Sequence, residues 1–128
     1  MAEGGQYVVQ MPLRFIIMNS INKIINSNNL DERYKTAEYI YNVFWPSLKD
    51  ELDEAIKEAL LRQNIKIKVF GPRDYAIYGT NKVQEMIQMQ NNRLKEAWTK
   101  ALVNAVITVM ERHNLVETPY RPLQEEEL

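Results

Sequence analysis

From Thr80 to Asn114 the chain runs without a single Gly or Pro. Its apolar positions there are Val83, Met86, Ile87, Leu94, Ala97, Trp98, Ala101, Leu102, Ala105, Val106, Val109 and Met110. They recur at steps of three, four and seven and so line one face of a helix. At about 1.5 Å per residue an unbroken helix here spans roughly 50 Å. The stripe lapses once, at Gln90-Asn91-Asn92, where a kink or break is expected. Ala101 to Met110 is apolar nearly all round, which predicts burial on more than one side. The earlier half is polar apart from its stripe and should meet something polar.

Three shorter helices are predicted before it, over 12–27, 31–45 and 47–63. Pro12 suits a first helical position, and Leu13, Ile16, Ile17, Ile21, Ile24 and Ile25 form the first stripe, which ends in Asn26-Ser27-Asn28-Asn29. Asn29-Leu30-Asp31-Glu32 has the spacing of a capping box and opens a helix burying Tyr34, Ala37, Ile40, Tyr41 and Phe44. Pro46 ends it. Ser47, with Asp50 three residues on, is expected to cap the third helix, whose stripe is Leu48, Leu52, Ala55, Ile56, Ala59 and Leu60. Pairs at four-residue spacing (Lys49 with Asp53, Asp53 with Lys57, Glu58 with Arg62) should lace its outer face. From Ile65 to Phe70 the period changes to two, followed by the Gly71-Pro72 turn and by Tyr75 to Tyr78 as a candidate return strand. The expected fold is therefore all-α. It is a four-helix bundle-like domain (12–114) with a long C-terminal helix and either a small β-hairpin or an extended loop at 65–79. An N-terminal arm (1–11) and an acidic, Pro-containing tail (115–128) flank it.

Composition narrows the chemistry. The chain has 128 residues, 45% hydrophobic and 26% charged, which reads as one globular domain with a sizeable core. No stretch of eighteen apolar residues marks a membrane span, and the polar, Gly-rich start does not fit a secretory signal. With no Cys and a single His, disulfides, thiolate zinc sites and histidine-based metal sites have no ligands. Asp50, Glu51, Asp53 and Glu54 are the one set that could hold a hard cation, but acids at a solvated helix start account for them through the helix dipole. His113 beside Arg112 reads in the same way as a C-terminal cap. There is no Gly-rich phosphate loop or nucleophile turn, so no enzymatic activity and no cofactor are expected.

Charge is segregated along a chain whose net charge is −1. Residues 1–30 carry +1, 31–64 carry −3, 65–110 carry +4 and 111–128 carry −3. A fold that brings the first and third segments together has a basic face. The first helix adds an amide face, Asn19, Asn22 and Asn26 with Lys23, and the long helix adds Gln84, Gln88, Asn91 and Lys95, interspersed with Lys82, Arg93 and Lys100. Amides, like bases, can donate to phosphate oxygens. A compositional bias enriching Asn, Lys and Ile throughout the chain accounts for them equally well.

Gly71-Pro72 followed by Ala76-Ile77-Tyr78 and a long helix resembles the major coat proteins of rod-shaped and filamentous archaeal viruses, of the rudivirus and lipothrixvirus type. Size and the order of arm, helices, turn and long helix agree. One extra residue separates Gly-Pro from Ala-Ile-Tyr, and the close match is confined to this passage. The resemblance implies a virion protein, present in the host cytoplasm before assembly. Such a protein pairs with itself or with a paralogous coat protein and wraps linear double-stranded DNA, held in A form, in a helical filament, with or without a membrane envelope. It also implies that first-helix residues lie against DNA, here Arg14, Asn19, Asn22, Lys23 and Asn26. Arg73, Lys82, Arg93 and Lys100 are further candidates by position. Trp98, Leu102, Val106 and Val109 are the candidates for self-association. Two other classes fit the pattern: a helical homodimeric interaction module without nucleic acid, and a DNA-binding regulator. The regulator lacks an evident short recognition helix and a basic domain charge.

Overall fold

A computed structural model describes residues 12–116, which are all-helical. The predicted N-terminal arm (1–11) and the tail beyond 116 lie outside the described residues. The elements are α1 (Leu13–Asn26), α2 (Leu30–Val43), a 3₁₀ turn (Pro46–Leu48), α3 (Lys49–Gln63), α4 (Pro72–Tyr78) and α5 (Thr80–Arg112). Pro12 stands at the cap of α1, one position before the first turn. The Asn29 side chain accepts from the Glu32 N–H at 3.0 Å and starts α2 as its spacing predicts. Ser47 does not cap α3. It falls inside the 3₁₀ turn that Pro46 opens, and α3 begins after Leu48 without a side-chain cap. Asn64, in the left-handed region at φ 51°, ends α3.

The bundle consists of α1, α2, α3 and the C-terminal half of α5. Ile17, Ile21 and Ile24 of α1, Ala37, Ile40 and Phe44 of the α2 segment, Leu52, Ala55, Ile56 and Ala59 of α3, and Ala101, Leu102, Ala105, Val106, Val109 and Met110 of α5 form one buried cluster. Apolar residues nearly all round this stretch of α5 are thus covered by α2 and α3, as the pattern required. Leu115 and Val116 also pack against the cluster, so the domain runs two residues past the predicted end at 114.

Two ties fix the edges. Glu51, in the first turn of α3, accepts from Arg112 at 3.2 Å and lies 2.8 Å from the His113 imidazole, pinning the end of α5. The expected ladder on α3 is mostly replaced. Lys49 donates to the Tyr41 carbonyl at 2.6 Å, and Asp53 accepts from the Tyr41 hydroxyl at 2.7 Å. Only Glu58 and Arg62 pair as their spacing predicts, at 3.7 Å.

The N-terminal half of α5 leaves the bundle as a projection and differs most from expectation. The helix does not break at Gln90-Asn91-Asn92. Gln90 sits where the stripe calls for an apolar residue, and its amide faces the backbone of residue 68 instead. The Lys68 N–H donates to Gln90 Oε1 at 2.8 Å, and Gln90 Nε2 donates to the Lys68 carbonyl at 2.9 Å. One side chain thus takes the place of a neighbouring strand, and no hairpin forms: residues 65–70 join no ladder. The candidate return strand is helix α4. Pro72 occupies its first turn, Asp74 accepts from the Gly71 N–H at 3.0 Å, and Gly79 at φ 87° turns the chain into α5. Lys68 also reaches Asp74 at 3.1 Å. Val83, fully buried yet outside the main cluster, anchors this projection.

Replacing Gln90 by Ala should release the backbone at Lys68 and leave α5 intact, since Ala is the better helix former. The expected outcome is faster amide hydrogen exchange at Lys68 with unchanged helical circular dichroism; unchanged exchange would contradict it. Acid should loosen the same edges. Hydrogen bonds from His113 first, then from Arg112, hold the Glu51 carboxyl below its ordinary range, and the Gly71 N–H, then Lys68, do so for Asp74. A depressed folded-state value gives stability that is present above the ordinary carboxylate range and lost as pH falls through the folded value. Thermal melts should therefore show a smaller acid-induced drop for Glu51→Gln than for the unaltered protein, and an equal drop would refute the role of Glu51.

Candidate nucleic-acid interface

The residues expected to meet DNA come from three elements, α1, α4 and α5, and, Arg14 aside, the structure gathers them in three places. On α1, Asn19, Asn22, Lys23 and Asn26 lie along the groove against α2, where two adjoining hollows of 520 and 630 Å³ share Asn19, Lys23 and Thr36. The spacing of three to four residues puts these side chains on one face because the apolar Ile17, Ile21 and Ile24 occupy the opposite one. Lys35 of α2 lines this groove, as does one acid, Glu32. Arg14 is not part of it. Its guanidinium stands 5.1 Å from the Phe15 ring centroid, and the residue is half-buried.

Arg73 on α4 and Lys82 at the start of α5 are exposed on the projection. Arg93 and Lys100 lie two turns apart on α5 and line an open cleft of 780 Å³ between α5 and the end of α3. This cleft also holds Arg33 of α2 and Lys66 of the 65–70 segment, two bases the sequence reading did not single out. Glu96 is its one acid. Neither missed residue carries a usable local signal. Arg33 comes from the acidic stretch 31–64, and Lys66 occupies the polar phase of an alternation that suggested a strand. Only tertiary packing brings the four bases together. None of them forms an ion pair among the described residues, whereas Lys68, Lys95 and Arg112 do, with Asp74, Asp31 and Glu51.

The residues proposed for self-association need correction. Leu102, Val106 and Val109 are fully buried inside the protomer and present no surface to another copy. Trp98 is half-buried, its ring 5.5 Å from that of Tyr34 and 6.4 Å from that of Tyr41, so most of its packing is internal. Exposed apolar side chains lie elsewhere: Ile25 and Leu61 on the bundle, and Ile67, Val69, Ile77, Tyr78 and Met89 on the projection, Val69 at 87% exposure. The reading failed because a stripe shows which residues leave water but not whether their partner belongs to the same chain.

Among the described residues no cluster of His, Cys, Asp or Glu could hold a metal ion, and no helix is long and apolar enough to cross a membrane. Compared with family models, curated proteins and solved structures, the chain gives no match.

Proposed function

We propose that the protein is a structural coat protein that assembles through dimers into a helical filament around linear double-stranded DNA, held in A form as the coat-protein resemblance implies. The observation that carries this reading is the projection. A protomer whose bundle buries its core, with Ile25 and Leu61 left exposed on it, extends a helix-and-loop arm bearing Ile67, Val69, Ile77, Tyr78 and Met89 in the open. Several exposed apolar side chains concentrated on one arm offer a contact surface to another macromolecule. A second copy, or a paralogous coat protein, is the partner that a repeating filament supplies, because arm-to-neighbour contacts extend an assembly without limit when they do not close.

DNA is the proposed cargo because bases outnumber acids in both grooves and the amides of α1 add donors without adding charge. Such a surface contacts phosphates and carries no code for base edges, so binding should be indifferent to sequence. Each protomer then binds weakly, and tight wrapping comes from many protomers engaging one duplex. The virion is the corresponding location, with the host cytoplasm before assembly. The projection equally favours a homodimeric interaction module without nucleic acid, which a binding experiment separates.

That experiment is a salt titration of binding to unrelated duplexes. If two or three phosphates are neutralised per protomer, log K should fall with log salt at a slope of about −2 to −3. Lys23→Ala should flatten the slope by about one unit on every duplex, while Glu54→Gln on the outer face of α3 should not flatten it. Binding that ignores salt, or no binding at all, leaves the interaction-module reading in place.

A further inference from the structure

We propose that the cleft between α5 and the end of α3 is a phosphate-binding site built by Arg33, Lys66, Arg93 and Lys100. This deepens the DNA reading and rests on it for the source of the phosphate, though not for the chemistry. Four cations from three separated parts of the chain converge on a cleft of 780 Å³ with Glu96 as the one acid. Convergence of like charge opposes folding unless something of opposite sign is bound. No carboxylate pairs with any of the four among the described residues.

The Arg33 side chain also carries an unfilled donor. The Nε of Arg33 is shielded from solvent yet has no hydrogen-bond acceptor. A buried charged donor without an acceptor is costly, and such donors in folded proteins normally have a partner. Arg33 also borders the adjoining 100 Å³ hollow, again with Lys100, so it sits at the junction of the two spaces. The cleft is held open by its own frame. Gln63, the last residue of α3, donates through Nε2 to the Ala97 carbonyl at 2.9 Å and sets the spacing between α3 and α5.

Phosphate fits this donor set better than a carboxylate does. Its three or more oxygens can accept from several directions at once, and two arginines offer planar forks to it. Seven of its nine lining residues are polar or charged, Ile65 and Ala97 being the exceptions. The open shape suits a chain of phosphates passing through, such as a nucleic-acid backbone or a free polyphosphate.

The test uses the full chain with ¹⁵N-labelled arginine, following the Nε–Hε signals of Arg33 and Arg93 by NMR. Sodium tripolyphosphate, an unrelated 20-base-pair duplex and poly-glutamate are added in separate titrations. We expect both signals to shift and saturate with tripolyphosphate, and Arg33→Gln to weaken that binding about tenfold, the loss of one charged hydrogen bond. Lys66→Gln, at an exposed position outside the core, should weaken it with no change in melting temperature, which guards against a folding defect in the Arg33 variant. Lys57→Gln, an exposed base of α3 outside the cleft, should leave it unchanged. Shifts with the duplex as well identify the nucleic-acid backbone as the source; shifts with tripolyphosphate alone support the site with a free polyphosphate as its ligand and count against the DNA reading. Arg33 and Arg93 signals that stay put under tripolyphosphate, or that move as strongly with poly-glutamate, overturn the phosphate site. Duplex binding that shifts α1 amides while leaving the two arginines unmoved overturns it too, and leaves the DNA reading standing.

Discussion

The structure depends on one helix being covered along only half its length. In α5, Ala101, Leu102, Ala105, Val106, Val109 and Met110 share a cluster with Leu52, Ala55, Ile56 and Ala59 of α3. Small residues on both helices let the two backbones come close, and close approach gives each buried atom more neighbours. Because α5 continues without interruption through Gln90, its uncovered half is a rigid extension of the packed half. The same rigidity fixes where the projection points and places Arg93 and Lys100 opposite the end of α3.

Holding the projection together falls to polar contacts, since its apolar anchor is mainly Val83. Gln90 grips the Lys68 backbone at both its N–H and its carbonyl, Lys68 grips Asp74, and Asp74 caps α4 through the Gly71 N–H. These bonds are largely solvent-accessible, and each contributes modestly to stability. A segment secured in this way opens locally at far lower cost than the bundle, which suits an element that must adapt to a neighbour. Its apolar residues stay outside because no further helix among the described residues lies over them.

The all-α fold and the three bundle helices were legible in the sequence because their stripes are long and regular. So was the Asn29 cap, which depends only on a local three-residue spacing. The hairpin was misread because alternation at 65–70 shows which side chains share a side, not whether a strand is there to pair with. Gln90 supplies that pairing from a distance the sequence does not show. For α4, Pro72 and Gly79 bracket a helix in the usual order, but its seven residues are too few for a periodic stripe, and Tyr75, Ile77 and Tyr78 favour strands. The candidate site was legible where one helix face carries it, as with Asn19, Asn22, Lys23 and Asn26. It was not where three chain segments meet, as with Arg33 and Lys66 beside Arg93 and Lys100. Burial of Leu102, Val106 and Val109 was foreseen, but their partner is the protomer's own bundle.

In the proposed assembly the exposed projection and the basic grooves act together, copies of the chain joining through the arm along a duplex. Electron microscopy of the protein mixed with linear duplexes of several defined lengths tests it most directly. Filaments whose lengths follow those of the DNA are expected, and their loss when Val69 and Ile77 are both replaced by Asp in a protein that still folds. Filaments of the same length distribution without DNA, or filaments unaffected by the two charges on the arm, would contradict it.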